Sequence, residues 1–426
     1  MIKIYNYNEV NKKEILSREA LEIDVTPQVK EIIDNVKKRG DEALFDYTYR
    51  FDNAKLESLL VTKEEIADAL DKTDKEFIRI LEKAKKRITN YHEKQKRNSF
   101  IISEENGVIL GQKIVPLERV GIYVPGGSAQ YPSTVLMDAI PAKIAGCKEI
   151  IMVTPPQKDG SIDSSILAAC YIAGVDRIYK VGGAQAIAAL AYGTETIKKV
   201  DKIVGPGNIF VATAKKMVSS TVSIDMVAGP SEILIIAEDN SSSRILASDL
   251  LSQAEHDKNA TSVLLTTSLS LAKETQKEVE RQLELLPRKD IARASIEKNG
   301  KIIVFKTLDE AIEISNLIAP EHLELFITDP FSKLDKVTNA GSVFLGKSTP
   351  EALGDYMAGP NHTLPTLGYA RFSSPLSVDD YIKKYQFTYY TPSALEEDID
   401  DIAYFARKEG LEGHARSVLS RRDDNE

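Results

Sequence analysis

The chain has 426 residues, 42% apolar and 28% charged, with a formal net charge of -9. This balance excludes disordered and fibrous classes, and the acidic excess argues against a general nucleic-acid binder, which needs a basic face. No apolar run reaches the roughly 20 residues of a membrane helix, and Met1-Ile2-Lys3-Ile4-Tyr5-Asn6 does not begin a basic-then-apolar leader. A cytoplasmic protein of two or three domains is expected, with small-molecule partners, no nucleic acid and no membrane.

In chain order, residues 27–49 and 74–97 carry apolar side chains at helical spacing and read as two amphipathic helices. His92 lies in the second, among Asn90, Glu93 and Lys94, and is expected to be solvated. Residues 1–122 are assigned as a helical segment joining the second of two α/β domains. From about Val108 the texture changes to short apolar runs between glycine turns. Strands are expected at 121–124, 149–153, 177–181 and 202–204, with helices at 134–145, 164–173, 184–191 and after Asn208. Strands alternating with helices of this length indicate a parallel sheet wound by crossovers, so 123–230 is the first Rossmann-like domain. Cys147 and Cys170 fall in its apolar helical phrases, too few for a disulfide scaffold, and are expected to be small core residues.

A second round fills 231–372, with strands at 233–237, 262–266, 301–305 and 323–327 and helices at 243–255, 271–285 and 308–317. The similar order makes it a candidate old duplication of the first. The fold class is therefore α/β, with two wound parallel-sheet domains, N-terminal helices and a small tail, 373–426. In that tail a tyrosine-rich stretch, 381–390, precedes a short helix.

Chemistry concentrates in a few phrases. Pro125-Gly126-Gly127, Gly182-Gly183-Ala184-Gln185 and Gly205-Pro206-Gly207-Asn208 each follow a strand and precede a helix, where backbone amides can approach a phosphate. Four of the five histidines lie in the C-terminal half beside carboxylates or amides. Gln253 and His256 are three apart near a helix end, so both side chains share one face and can meet one ion. Asp355 and His362 occupy a stretch without apolar periodicity, read as a loop. Glu321 and His322 precede a strand; on an extended chain adjacent side chains diverge, so they are expected to do two separate jobs. Glu409 and His414 lie in the tail.

Together these phrases resemble the histidinol dehydrogenase family, from Glu118-Arg-Val-Gly-Ile-Tyr-Val-Pro-Gly-Gly127 through Asp225-Met-Val-Ala-Gly-Pro-Ser-Glu-Ile233, Leu250-Leu-Ser-Gln-Ala-Glu-His-Asp257, Ala319-Pro-Glu-His-Leu323 and Gly354-Asp-Tyr-Met-Ala-Gly-Pro-Asn-His362 to Glu409-Gly-Leu-Glu-Gly-His414. The resemblance implies a four-electron oxidation of L-histidinol to L-histidine through the aldehyde, the last step of histidine biosynthesis, with NAD and one zinc ion per subunit. It implies zinc ligands at Gln253, His256, Asp355 and His414 and a catalytic pair at Glu321 and His322. Substrate contacts fall on Ser231, His362 and Glu409 besides the zinc ligands and His322, and NAD contacts on Tyr123, Gln185 and Asn208. It also implies a homodimer whose tail crosses to the partner's active site. Two other readings of the residues stand beside it: a zinc hydrolase in which Glu321 activates water, and a nucleotide-binding regulatory module with structural zinc. Manganese or cobalt would suit the same ligands.

Overall fold

A computed structural model describes residues 1–9, 24–126, 130–227 and 229–423. Gly127 and Ser128 of the first glycine turn lie outside them. The chain forms two compact units, one of residues 1–95 and 117–381, the other of 96–116 and 382–426.

The first unit opens with strand β1 (Lys3–Asn6) and helices α1 (Thr26–Arg39), α2 (Asp41–Asp52), α3 (Lys63–Lys72) and α4 (Lys75–His92). Gly40, at φ 55°, divides the expected helix over 27–49 into α1 and α2, a conformation glycine adopts without penalty. Strands β2 (Phe100–Ser103) and β3 (Ile109–Pro116) belong to the second unit. The first then resumes with β4 (Arg119–Tyr123), α5 (Pro132–Ala145), β5 (Glu149–Thr154), α6 (Ser164–Ala173), β6 (Arg177–Lys180), α7 (Gly183–Tyr192), β7 (Lys202–Val204), α8 (Ile209–Val218) and β8 (Ser223–Ile224). These five strands make a parallel sheet in the order β6-β5-β4-β7-β8.

The second round comprises β9 (Glu232–Ala237), α9 (Ser243–Ala254), β10 (Thr261–Thr266), α10 (Leu269–Leu283), α11 (Lys289–Asn299), β11 (Lys301–Val304), α12 (Leu308–Ile318), β12 (His322–Phe326), α13 (Phe331–Leu334), β13 (Ser342–Leu345) and α14 (Glu351–Tyr356). With β1 it forms a six-stranded parallel sheet ordered β1-β11-β10-β9-β12-β13. The central strands β9 and β12 are buried along their whole length, as parallel strands covered by helices on both faces must be. Both Rossmann-like sheets are thus present. Strand order reverses between β4 and β7 in one and between β9 and β12 in the other.

The N-terminal segment divides differently from the expectation. Among the described residues of that segment only β1 joins the six-stranded sheet, pairing Lys3 with Lys301. Helix α1 packs on α7 and α8, and α3 and α4 pack on α5 and α6, all around the five-stranded sheet. Amphipathic spacing marks an apolar face but does not say which sheet covers it. His92 is a further correction: it continues the buried stripe of Leu81, Ala84 and Ile88 at helical spacing and is itself fully buried. Its Nδ1 lies 2.7 Å from Gln95 Oε1, and burial lowers its pKa. Cys147 and Cys170 are buried and not joined by a disulfide.

In the second unit the tyrosine-rich stretch is a strand, β14 (Ile382–Tyr389), which pairs antiparallel with β3, Tyr385 opposite Lys113, and β3 pairs with β2. Helices α15 (Pro392–Lys408) and α16 (Glu412–Asp423) pack through Ala403, Ala406 and Ala415. This unit starts at Ile382, not 373, and takes in 96–116. Phe100, Ile101, Ile102, Tyr404 and Phe405 are all exposed on it.

Candidate active site

The site lies at the amino edge of the six-stranded sheet, where β9 and β12 run side by side with His322 opposite Ile233. Ligands of wound sheets ordinarily gather at the carboxyl edge, so strand order alone would not point here. The peptide groups of Glu232 organise the edge. Its N–H donates to Glu321 Oε2 at 2.8 Å, and its carbonyl oxygen lies 2.9 Å from His322 Nδ1. A carbonyl only accepts, so Nδ1 carries the proton and Nε2 is the basic nitrogen. The expected divergence of Glu321 and His322 is not found: Glu321 Oε2 lies 3.6 Å from His322 Nδ1. The alternation rule applies within a strand, and Glu321 stands just before β12 begins.

Asp355 is on a helix rather than in a loop. Helix α14 places Glu351 and Asp355 four apart on one face, and Asp355 Oδ1 is 3.5 Å from His362 Nδ1. Glu351 is the residue that sequence reasoning missed. Its carboxylate is 2% exposed, with Oε1 4.0 Å from His322 Nε2 and Oε2 accepting from the Ser252 hydroxyl at 3.0 Å. A carboxylate four residues before Asp355, a position expected to be a ligand, was the available signal. Gln253 is buried in the last turn of α9. In the orientation that satisfies its amide, Nε2 donates to Glu351 Oε1 at 3.1 Å and Oε1 accepts from Glu232 N at 3.2 Å. His256 falls beyond the helix end, in a turn closed by its own N–H to Gln253 O at 3.2 Å. Its side chain and Asp355 line a cavity of about 270 Å³ walled by Leu81, Ile88, Leu136 and Met137.

Among the described residues, the cluster with ligand atoms within 4.8 Å of one another is His322, Glu351 and Asp355. It shares Asp355 with the four positions expected from sequence. Glu409 and His414 lie exposed in the second unit, at the end of α15 and the start of α16. Burial pushes the Glu321 carboxyl up to about 8. Burial opposes the His322 cation, but the carboxylates of Glu321, Glu351 and Asp355 outweigh it and lift the imidazole to about 9. Burial likewise raises Glu351, to about 7. Asp355 is held below its ordinary value despite burial, by its bond to His362. The constellation orients an imidazole whose Nε2 acts as a base only in the neutral form, favoured above about pH 9, beside oxygen and nitrogen donors.

The glycine turns follow β4, β6 and β7 at the carboxyl edge of the five-stranded sheet, and two of them flank its reversal between β4 and β7. Tyr123 is buried, its hydroxyl accepting from Gly183 N at 3.1 Å. Gln185 is buried in α7, and its Oε1 finds no partner among the described residues. Asn208 caps α8, accepting from Phe210 N at 3.0 Å and Val211 N at 3.2 Å. Ser231 directly precedes β9, its carbonyl accepting from Thr261 N at 3.0 Å.

The two halves of the first unit meet at Asp138. This carboxyl is fully buried in α5, with Oδ1 accepting from the Thr363 hydroxyl at 2.8 Å and Oδ2 without a partner among the described residues. Burial pushes it from 3.8 up to about 7, with the Thr363 bond and nearby His362 and Lys215 opposing and Asp225 adding to the rise. The folded state therefore holds this proton more tightly than the unfolded chain. Its contribution is complete below about pH 4 and is lost as pH rises to about 7, roughly 4 kcal/mol in all at about 1.4 kcal/mol per unit. Asp138→Asn should flatten that fall, and denaturant unfolding at pH 5 and pH 8 would show it; equal pH dependence in both proteins refutes the assignment.

The histidinol dehydrogenase family model matches residues 16–422. The chain belongs to the histidinol dehydrogenase family. It is 55% identical over 414 residues to the histidinol dehydrogenase of Bacillus cereus, covering 97% of this chain and 96% of that one. With that of Clostridium acetobutylicum it is 55% identical over 409 residues, covering 96% and 94%. The crystal structure of histidinol dehydrogenase from Elizabethkingia anophelis superposes with a TM-score of 0.95 at 42% identity, covering 99% of this chain and 98% of that one. As a member of this family the chain oxidises histidinol to histidine in histidine biosynthesis, which sets aside the hydrolase and regulatory readings. No helix of the described residues is long and apolar enough to cross a membrane.

Proposed function

We propose that the chain carries out this oxidation in two NAD-dependent steps, through L-histidinal, at a zinc centre held by Gln253, His256 and Asp355 with His414 of a partner subunit. The observation that carries this reading is the commitment of His322 Nδ1 to the Glu232 carbonyl, which leaves Nε2 free as the base beside Asp355.

The donors fit zinc: all are nitrogen or oxygen atoms, His256 and Asp355 line one cavity with Gln253 buried in the helix turn before them, and the two cysteines lie elsewhere in the core. The cofactor turns fit NAD. A Cβ at Gly205 would lie 2.1 Å from Tyr123 O, so that turn admits only glycine, and in the turn after β6 Gln185 Oε1, without a partner among the described residues, offers an acceptor close to Gly183. Held by these residues, zinc would supply orientation of the substrate so that its carbinol faces the base, and NAD at the glycine turns would supply the hydride acceptor. His322 Nε2 takes the hydroxyl proton of the alcohol and later that of the aldehyde hydrate. Glu321 draws a proton from the water that forms the hydrate. His362 stays on Asp355 and, with Ser231 and with Glu409 of the partner subunit, meets the polar groups of the substrate.

The test is NADH formed per L-histidinol consumed. Two NADH, lost on chelation and restored by zinc, is the expected result; one NADH, or turnover indifferent to chelation, overturns the scheme. The exposed apolar side chains of the second unit suit docking to a second copy, and we assign a homodimer with shared sites. Co-expressed His414→Asn and His322→Asn chains, each inactive alone, should recover activity in mixed dimers; no recovery counts against sharing. Two buried thiols suit a cytoplasmic setting.

A further inference from the structure

The catalytic scheme uses Glu321, His322 and the metal ligands but leaves Glu351 without a role. A buried carboxylate is costly unless its lone pairs are satisfied, and among the described residues no lysine or arginine pairs with this one. Its partners are instead the amide of Gln253, the hydroxyl of Ser252 and, at 4.0 Å, the basic nitrogen of His322. Its own backbone is fixed as well: Glu351 N donates at 2.8 Å to Oε1 of Glu324, whose carboxyl lies two residues along β12 from His322. The fold thus spends two buried acids to keep one oxygen in one place.

We propose that Glu351 is a positioning residue that orients both Gln253 and His322 through Oε1. By accepting from Gln253 Nε2 it fixes which way the amide faces. Glu232 N occupies one lone pair of Gln253 Oε1, and the other is left for the metal. The same Glu351 oxygen faces His322 Nε2, so the ligand amide and the base share one anchor. Partners of this kind, which bond to a ligand rather than to the ion, commonly set metal affinity within one to two orders of magnitude.

The inference rests on the reading of Gln253 as a zinc ligand, and the experiment separates the two. Zinc dissociation constants are measured by competition with a chelator of known affinity for the purified wild-type protein and for Gln253→Ala, Glu351→Ala, Glu351→Gln and Glu351→Asp. Glu351→Ala is expected to bind zinc about 10- to 100-fold more weakly. Glu351→Gln keeps an acceptor of the same shape for Gln253 and should stay near wild-type affinity, while its zinc-saturated kcat falls with little change in KM, because the charge facing His322 is gone. Glu351→Asp withdraws the carboxylate by one methylene and should weaken zinc in the same direction as alanine, which keeps the test decisive if the alanine variant does not fold. If Gln253→Ala weakens zinc and neither Glu351→Ala nor Glu351→Asp does, the positioning role is overturned. If Gln253→Ala itself binds zinc as the wild type does, the ligand reading fails and the inference with it.

Discussion

His322→Asn is expected to lower kcat by about 10²- to 10⁴-fold, the range a positioned general base contributes, with little loss of stability. Asparagine still offers an N–H to the Glu232 carbonyl, which His322 Nδ1 meets at 2.9 Å, but has no basic atom where Nε2 stood. The loss should fall on both oxidations, since in the proposed scheme the same nitrogen serves the alcohol and the hydrate. Glu321→Gln should behave differently. If Glu321 serves the water alone, the first oxidation survives, NADH per histidinol falls from two toward one, and the aldehyde accumulates. Stopped-flow NADH formation with quantification of aldehyde reads both. A His322→Asn enzyme within tenfold of wild type would remove His322 from the chemistry, and equal slowing of both halves in Glu321→Gln would move Glu321 from water activation to holding His322.

Lys215→Met is expected to cost about 3–5 kcal/mol of stability, because it strands a buried charge. Lys215 and Asp225 form an ion pair with side chains 2% and 1% exposed. Around it, Lys215 Nζ donates to Gly205 O at 2.8 Å, and Asp225 accepts from Gly205 N at 2.8 Å and Met226 N at 2.6 Å. Both polar groups of one glycine are therefore held by one ion pair, at φ 108° in the turn that precedes Asn208. Removing the lysine leaves the Asp225 carboxylate uncompensated and releases the Gly205 carbonyl. The double change Lys215→Met with Asp225→Leu should recover part of the stability, since an apolar pair avoids the stranded charge, yet the KM for NAD should stay raised because the turn has lost its clamp. Denaturant unfolding and NAD saturation curves test the two halves separately. A Lys215→Met protein as stable as wild type would show that Asp225 finds another cation or its proton.

The alternating pattern of 121–204 and 233–327 suffices for two wound parallel sheets, because period and turn chemistry are local properties. The short helix α14 was harder. Glu351–Tyr356 is too brief to show apolar periodicity, so Asp355 read as a loop residue and Glu351 went unnoticed. His92 misled for the opposite reason: its charged neighbours outweighed its place, four residues after Ile88, on a buried stripe. The tyrosine-rich strand β14 was missed because its partner β3 lies more than 250 residues earlier, and a strand whose pairing is remote leaves a weak local mark.

The sequence by itself determined the fold class, the three strand-to-helix turns and, through the resemblance of its motif phrases, the family. Those are matters of residue order, read within windows of a few residues. Only the tertiary structure decided that Glu321 and His322 converge on the two polar groups of Glu232, that the site opens at the amino edge of its sheet, and that Glu351 stands beside Gln253 and His322. Each of these depends on β9 lying next to β12 and on α14 being tied to β12 and α9 through Glu324 and Ser252, and hydrogen bonds made across about 90 to 100 positions of chain exist only once long-range burial has fixed which strands are neighbours.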